Sequence, residues 1–211
     1  MYDRDVPKLI DHDERDREIG EAAWRVLARE GLAALSVRNV AEEAGIATAS
    51  LRRAYPTQDA LRVACLRRVF EHVQRRLDAL HAARRPHDDP VEFAARCLRE
   101  LLPLDHERRV EAGVWLTLGS LALTDDGVRA AYDEAHALLR GACAALLALA
   151  RTSTTTEGRA DVVVTPDAAR LHALVDGLTL HLVHAPADAD ATWAVDVLTA
   201  EVRRLAATSS T

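Results

Sequence analysis

The sequence predicts an all-α fold of about nine helices, on three observations. Alanine and leucine are abundant, whereas the 211 residues include only 9 glycines and 7 prolines, so good helix formers dominate. Apolar residues recur three and four positions apart in successive segments, which is the spacing of one buried helical face. Ser, Asp, Gly and Pro stand between these segments, where one helix ends and the next begins.

The first helix is predicted to end at Glu30, before Gly31. One stripe of its residues is apolar and packs over the helices that follow: Ile19, Ala22, Ala23, Val26 and Leu27. Residues 1–12 lack a helical period, so we expect them to form a loose arm.

Residues 36–61 are predicted to form two short helices joined by a tight turn, followed by the start of a longer helix. Ser36 is placed to cap the first short helix, whose apolar Val40 and Ala41 face inward. Gly45 follows at the point where the end of a helix favours a residue that tolerates a positive φ. The chain therefore turns sharply directly after the first short helix.

The second short helix begins at Thr48, which we expect to be its cap, and it turns Leu51 and Tyr55 inward. Two short helices with a glycine in the turn form the arrangement that places the second helix in a DNA major groove. The spacing of the apolar residues is equally compatible with a solvent-exposed helical hairpin that carries ordinary surface arginines and does not bind DNA.

The outward side of this helix pair carries residue types that suit contact with double-stranded DNA. Arginine can bind guanine O6 and N7 in bidentate fashion, and hydroxyl groups bind bases or phosphates. We assign phosphate contact to Arg53 and Gln58. The full set of predicted DNA-contacting residues is Arg38, Thr48, Ala49, Ser50, Arg52, Arg53 and Gln58.

The remaining chain reads as one long helix and five further ones. Pro56 and Thr57 break the chain before the long helix, whose broad apolar face, reaching about His81, can serve two cores. The later helices are predicted to begin after Asp89, near Asp105, in the Thr124–Gly127 break, after Thr165 and near Asp188. Residues 151–164 have the composition of an exposed, flexible connection, and the three valines at 162–164 could form a strand but have no partner strand.

Charge and composition exclude some classes of function. The net charge of −6, with ten Lys and Arg against twelve Asp and Glu in residues 1–63, argues against a general polyanion binder. A DNA reader is still allowed, because contacts depend on local charge at the docking face. Three dispersed cysteines predict reduced core thiols, and the absence of a long apolar run predicts a cytoplasmic protein with no membrane contact.

Catalytic and metal chemistry is not predicted. The sequence has no G-x-S-x-G, no H-E-x-x-H and no Gly-rich phosphate loop, so we expect no enzyme, catalytic residue or cofactor. Asp78 with His81 and Asp133 with His136 have the i, i+3 spacing of helical metal ligands, but they read as solvent-facing pairs. His172, His181 and His184 lie on one helix, where His181 and His184 could share a ligand. Interface or surface histidines are commoner, so we expect no metal.

The N-terminal residues resemble the DNA-binding domain of the tetracycline-repressor (TetR) family of bacterial regulators. The resemblance rests on Ile19, Ala22, Ala23, Leu27, Gly31, Ser36, Val40, Ala41, Ala44, Gly45, Ile46, Leu51, Tyr55 and Leu61. This chain departs from the family pattern at Arg52, Ala54 and Gln58. One expected DNA-backbone contact is missing at Ala54 and another is weakened at Gln58, while Arg52 adds a cation.

From about Leu101 to Leu205 the chain is similar to the C-terminal domain of the BetI-like branch of the same family. The similarity lies in Glu111–Trp115, Leu121–Asp125, Tyr132 and Leu171–Leu178. It implies a homodimer formed by the last two helices of each subunit. The implied interface residues are Leu171, Leu174, Val175, Leu178, Leu182, Trp193, Val197 and Leu198.

The resemblance also implies a small-molecule effector site in the C-terminal domain. We place it near Phe93, Glu111, Trp115 and Tyr132. Trp115 is the best candidate because it offers a flat apolar wall, whereas for Phe93 and Tyr132 the pattern favours a place in the core. Aromatic residues make up only 4% of the chain, which argues against an aromatic cage for a quaternary ammonium and favours a largely apolar ligand.

The sequence therefore predicts a helix-turn-helix DNA-binding domain over residues 1–61 and a ligand-binding and dimerisation domain over residues 62–211. The predicted function is a ligand-responsive transcriptional regulator, a repressor that binds a palindromic operator as a homodimer. The alternative is a dimeric α-helical interaction adaptor with weak or lost DNA binding.

Overall fold

The computed structural model describes residues 12–151 and 165–208. Within these ranges the chain forms nine α-helices, one 3₁₀ turn at Leu32–Ala34 and no strand, which confirms the predicted fold class. The helices are α1 (His12–Glu30), α2 (Val37–Glu43), α3 (Thr48–Ala54), α4 (Gln58–Ala83), α5 (Pro90–Arg99), α6 (His106–Leu121), α7 (Asp126–Arg151), α8 (Pro166–His184) and α9 (Thr192–Ala207).

Two predicted irregular segments fall almost entirely outside the described residues. Of the proposed N-terminal arm, only His12 is described, and it begins α1. Of the proposed linker at 151–164, only Arg151 is described, and it ends α7. The possible strand at 162–164 also lies outside the described ranges.

The chain forms two compact units, Met1–Cys65 and Leu66–Thr211. The predicted boundary was at residue 61. The observed boundary lies four residues later, because the first two turns of α4 belong to the N-terminal unit.

In the N-terminal unit, α1 packs on α2 and α2 packs on α3. The apolar stripe predicted in α1 is buried, since every one of its members is at most 2% exposed. The largest fully buried side chains of this unit are Leu27, Leu35, Leu51 and Leu61. Burial of leucine side chains at this level stabilises the unit by roughly 1.5–3 kcal/mol each relative to exposure.

The ends of α2 follow the predicted capping chemistry. Ser36 Oγ accepts a hydrogen bond from Asn39 N at 3.1 Å, and the backbone of Ser36 is extended, as an N-cap requires. Gly45 has a φ of +66°, and Ile46 N donates to Ala41 O at 3.0 Å, which satisfies a carbonyl at the end of α2. The sharp turn between α2 and α3 therefore depends on a residue without a Cβ.

The predicted cap of α3 is wrong. Thr48 is the first helical residue, and Ala47 occupies the N-cap position without a side-chain hydrogen bond. The sequence pattern favoured Thr48 because a hydroxyl is the usual cap, but after the turn at Gly45 the chain enters the helix one residue earlier than that prediction required.

In the C-terminal unit, α5 packs on α7 and α9, and α8 packs on both α7 and α9. The fully buried residues at the centre of this bundle include Phe93, Leu98, Leu147, Leu171, Leu182 and Leu198. Cys97 and Cys143 are buried and unbridged in the same core. Burial raises the pKa of Cys143 to about 12, so its thiol stays protonated at neutral pH.

Caps fix the starts of the C-terminal helices at three predicted positions. Asp89 accepts from Val91 N ahead of α5, Asp105 from Arg108 N ahead of α6, and Thr165 from Ala168 N ahead of α8. The last helix starts at Thr192 rather than near Asp188. No helix in the described ranges combines the length and the apolar composition that crossing a bilayer requires.

The turn after α2 can be tested by a matched pair of glycine substitutions. A Cβ added at Gly45 or at Gly141 in α7 would meet no other atom within 4 Å, so the two sites differ mainly in backbone φ. Gly45→Ala is expected to lower the free energy of unfolding by about 1–2 kcal/mol, because an L-residue is strained at positive φ. Gly141→Ala is expected to raise it by about 0.5–1 kcal/mol.

Urea denaturation followed by far-ultraviolet circular dichroism measures both variants. Equal effects of the two substitutions would show that the left-handed conformation of Gly45 does not constrain the turn.

Candidate nucleic-acid interface and ligand cavity

The short helices α2 and α3 present arginines with no acidic partner. Arg38 lies in the first turn of α2, and Arg52 and Arg53 lie in the last turn of α3. All three are exposed, and no carboxylate in the described part of the chain forms an ion pair with them. Their charge is therefore available to a polyanion.

The other residues assigned to DNA contact surround these arginines in sequence. Thr48 and Ala49 are exposed at the start of α3, and Ser50 is half-buried. Ala54, where the family pattern has a contacting side chain, is exposed at the end of α3.

Two arginines of α1, Arg25 and Arg29, are in contrast paired with a carboxylate of the same unit. Arg25 Nε lies 2.7 Å from Glu43 Oε1, and an Arg29 guanidinium nitrogen lies 3.0 Å from Glu43 Oε2. Hydrogen bonds from Arg25 and then from Arg29 lower the pKa of Glu43, so this carboxylate is charged at neutral pH. Exposed arginines that form no ion pair among the described residues thus lie on both α2 and α3.

Gln58 has an intramolecular partner that the sequence analysis did not anticipate. Its Nε2 donates to Leu35 O at 2.8 Å, and Asn39 Nδ2 donates to Ala34 O at the same distance. These amides attach the starts of α4 and α2 to the backbone that follows α1. Gln58 therefore has a positioning contact in addition to the phosphate contact predicted for it.

An open cavity lies in the C-terminal unit, with about 560 Å³ of empty space including the solvent at its mouth. Its walls come mainly from α4, α6 and α8 and are mostly apolar. The residues that define its character are Val69, Phe70, Glu111, Trp115, Asp176 and Thr179. Its mostly apolar lining with a few polar groups is that of a small-molecule site.

Two of the four predicted ligand residues line this cavity, and two do not. Glu111 and Trp115 are in the wall. Tyr132 lies behind Trp115, with the two ring centroids 4.7 Å apart. Phe93 is 1% exposed in the helical core, where the ring of His81 meets it edge to face at 5.1 Å. Phe93 is a core residue because α5 packs on α7 and α9 in the centre of the bundle.

Glu111 is committed to an ion pair. The guanidinium of Arg76 donates to both of its carboxylate oxygens, at 2.7 and 2.6 Å, and Arg76 Nε lies 3.1 Å from Glu100 Oε2. Burial alone would raise the pKa of Glu111, but hydrogen bonds from Arg76 and His72 hold it below its usual value. Glu111 therefore serves the cavity as a neutralised, fixed part of its wall.

A group of side chains that the sequence analysis did not connect lies beside Trp115. The imidazole of His136 stacks on the Trp115 ring at a centroid distance of 6.0 Å, and the ring of His172 meets His136 at 4.5 Å. Asp176 Oδ2 lies 3.4 Å from His172 Nε2 and 3.7 Å from His136 Nε2. No sequence signal joins His136 to His172, because they belong to different helices.

Burial shifts the pKa values of Asp176 and His172 in opposite directions. It raises the pKa of Asp176, against the opposing effect of the two histidines. It lowers the pKa of His172, so that imidazole is neutral at pH 7.

The predicted dimer residues divide into core and surface. Five of the eight lie in the protomer's own core, at most 4% exposed: Leu171, Val175, Leu178, Leu182 and Leu198. Leu174 is half-buried, whereas Trp193 and Val197 on α9 are 46% and 43% exposed. The sequence pattern could not separate the two groups, because core and interface residues are both apolar at helical spacing.

Comparison with known families gives matches in both units. Residues 19–65 match the bacterial regulatory proteins of the tetR family, and residues 90–207 match the C-terminal domain of BetI-type transcriptional repressors. The HTH-type transcriptional regulator PksA of Bacillus subtilis (strain 168) is 34% identical over 181 residues, which are 86% of this chain and 84% of that protein.

Solved structures give the same fold. The multidrug binding protein EbrR complexed with imidazole is 31% identical, with a TM-score of 0.64 over 94% of this chain and 93% of that one. EbrR complexed with ethidium matches at 30% identity and a TM-score of 0.62, over 90% and 99% of the two chains. A TetR-family member from Streptomyces coelicolor A3 is 31% identical, with a TM-score of 0.61 over 89% and 98%.

Proposed function

Because this chain belongs to the TetR family of bacterial transcriptional regulators, we propose that it represses transcription by binding a palindromic operator as a homodimer and is released by a small molecule. The observation that carries the DNA-binding part is the set of exposed, unpaired arginines on the helix-turn-helix. Bacterial DNA lies in the cytoplasm, so the protein is expected to act there.

The roles at the DNA follow from chemistry and position. α3 is the recognition helix, with Arg52, Thr48 and Ser50 available to base edges and Arg53 available to phosphate. Arg38 adds a cation from the start of α2. The net charge of −6 does not oppose this assignment, because DNA binding depends on the local charge at the docking face, where Arg38, Arg52 and Arg53 are exposed.

An exposed apolar surface on the last two helices supports the homodimer. Leu180 on α8 and Trp193 and Val197 on α9 are each more than 40% exposed, and the two helices pack on each other. A two-fold axis through such a surface would bury the three side chains against their copies. Two recognition helices related in this way suit half-sites about 34 Å apart.

The cavity of the C-terminal unit is the proposed effector site. A flat, largely apolar molecule fits its lining, because Trp115 provides an aromatic face and Val69 and Phe70 provide an apolar wall. EbrR, a relative at about 30% identity, is described with ethidium bound, and ethidium is a flat aromatic molecule.

Helix α4 provides the proposed route from effector to DNA. It contributes Gln58, with its bond to Leu35, to the N-terminal unit and contributes Val69 and Phe70 to the cavity wall. An effector releases DNA only if it binds better to the conformation that DNA does not favour.

The DNA-binding proposal is tested with duplexes selected from a random library by the full-length protein. Arg52→Ala is expected to cost about 1–3 kcal/mol of specific binding and to relax base preference at one position. Arg53→Ala is expected to weaken binding to all duplexes alike and to lower the slope of the salt dependence by about 1. Fluorescence anisotropy across a salt series measures both.

Arg85→Ala is the matched control, since Arg85 is an exposed arginine between α4 and α5. Its affinity should equal that of the wild type. If the wild-type chain forms no sequence-specific, salt-dependent complex, the protein is not a DNA-binding regulator and the adaptor function takes its place.

The dimer surface is tested by placing a charge at its centre. Trp193→Arg is expected to convert the dimer to a monomer, because it places a charge in an apolar interface. Its helical content should be unchanged, because the Trp193 side chain is 46% exposed in one protomer and contributes little to that protomer's own core. Analytical ultracentrifugation gives the mass. Leu123→Arg, at a site 74% exposed just after α6, should remain dimeric. A monomeric wild type, or a dimeric Trp193→Arg, contradicts the proposed interface.

The effector site is tested with ethidium as the probe, on protein without DNA because ethidium intercalates. Trp115→Ala is expected to weaken ethidium binding by about 1–2 kcal/mol, or 5- to 30-fold, through loss of the aromatic wall. Leu138→Ala, at an exposed position on α7, should bind as the wild type does. Fluorescence titration measures the affinity, and equal binding by Trp115→Ala would place the ligand elsewhere.

A further inference from the structure

His136, His172 and Asp176 form a cluster whose chemistry is that of a metal site. His136 lies on α7, and His172 and Asp176 are one turn apart on α8. Each offers one ligand atom, and the three atoms lie within 4.8 Å of one another. Two imidazole nitrogens and one carboxylate oxygen are ligands that zinc and related divalent ions take together.

The distances fit tetrahedral coordination. With metal–ligand bonds of roughly 2.0–2.2 Å, the ligand atoms of a tetrahedral site are separated by about 3.4 Å. Asp176 Oδ2 lies 3.4 Å from His172 Nε2 and 3.7 Å from His136 Nε2. The His136 side chain is the one that would have to approach, and it is 34% exposed, whereas His172 is buried.

His172 provides the second observation that points to a ligand. Its residue is only 5% exposed, and its Nε2 is buried with no hydrogen-bond partner among the described residues. A buried imidazole nitrogen without a partner costs folding free energy unless something binds it. The same nitrogen faces Asp176, so a cation placed between them would satisfy both groups.

A second group of possible ligands is less suitable. His72, Glu107 and Glu111 also lie within ligand distance of one another. Both oxygens of Glu111, however, accept hydrogen bonds from the Arg76 guanidinium. That positive charge opposes a metal ion at the second group, whereas no ion pair with arginine is made by Asp176 within the described ranges.

We propose that His136, His172 and Asp176 bind one divalent transition-metal ion of the zinc type. Three protein ligands leave a fourth coordination position, as in sites where zinc also binds water or a ligand. Asp176 is part of the cavity wall, so the proposed metal site adjoins the cavity. The metal would give this mostly apolar site an affinity for molecules that carry a nitrogen, oxygen or sulfur donor.

The test uses full-length protein treated with a chelator and then titrated with Zn²⁺ by isothermal calorimetry. One ion per chain is expected. His136→Gln and Asp176→Asn should each weaken binding at least about tenfold, because loss of a direct ligand costs no less than loss of its supporting partner. His136 and Asp176 are both partly exposed, so neither variant should prevent folding, and circular dichroism confirms this.

Two histidine variants serve as controls. His181→Gln changes an exposed histidine on α8, and His72→Gln changes the second group of possible ligands. Both should bind Zn²⁺ within about twofold of the wild type. Co²⁺ gives an independent readout, since a tetrahedral Co²⁺ site absorbs strongly in the visible range and should quench the fluorescence of Trp115 beside His136.

The proposal is overturned if Zn²⁺ does not bind, if His136→Gln and Asp176→Asn bind it unchanged, or if His72→Gln alone loses it. Zn²⁺ binding is measured without DNA, so its failure leaves the proposed operator binding untouched. Failure of operator binding likewise leaves the metal measurement intact.

Discussion

Helix α4 contributes buried residues to both compact units, and much of the structure depends on this. α4 runs for 26 residues without a break, and the boundary between the two compact units falls within it. Leu61 and Cys65 are buried before the boundary, and Leu66 and Val69 are buried after it. The apolar face of α4 is broad because one part of the helix is buried in the N-terminal unit and the other part in the C-terminal unit. For the proposed regulator it means that the cavity wall and the DNA-binding unit share one continuous hydrogen-bonded element.

Which charged side chains are available to DNA depends on local ion pairs, and the net charge of the chain does not predict it. The chain carries 33 acidic and 27 basic residues. Glu43 holds Arg25 and Arg29, and Glu111 holds Arg76, whereas the arginines of α2 and α3 have no acidic partner among the described residues. An acidic protein can therefore present a cationic face to DNA, because Coulomb interactions at contact distance outweigh the screened charge of distant groups.

The aromatic and histidine side chains show the same local concentration. The composition, with 4% aromatic residues, argued against an aromatic cage for a quaternary ammonium. In the structure Phe70, Trp115 and Tyr132 gather on one side of the C-terminal unit, together with His136 and His172. The aromatic percentage of the whole chain cannot predict this clustering, since packing brings together residues that are far apart in sequence. The small number of aromatic residues is therefore compatible with an aromatic wall in the cavity.

The sequence by itself determined the helices, their caps at Ser36, Asp89, Asp105 and Thr165, the turn at Gly45 and the helix-turn-helix with its arginines. These features depend on residues within about four positions of one another, where backbone geometry and capping chemistry are local. Only the tertiary structure decided that Phe93 is core, that Leu198 is buried while Val197 is exposed, and that His136 meets His172 and Asp176. Those outcomes depend on how whole helices rotate and pack against each other, and an apolar or titratable residue at helical spacing does not record which neighbour it will face.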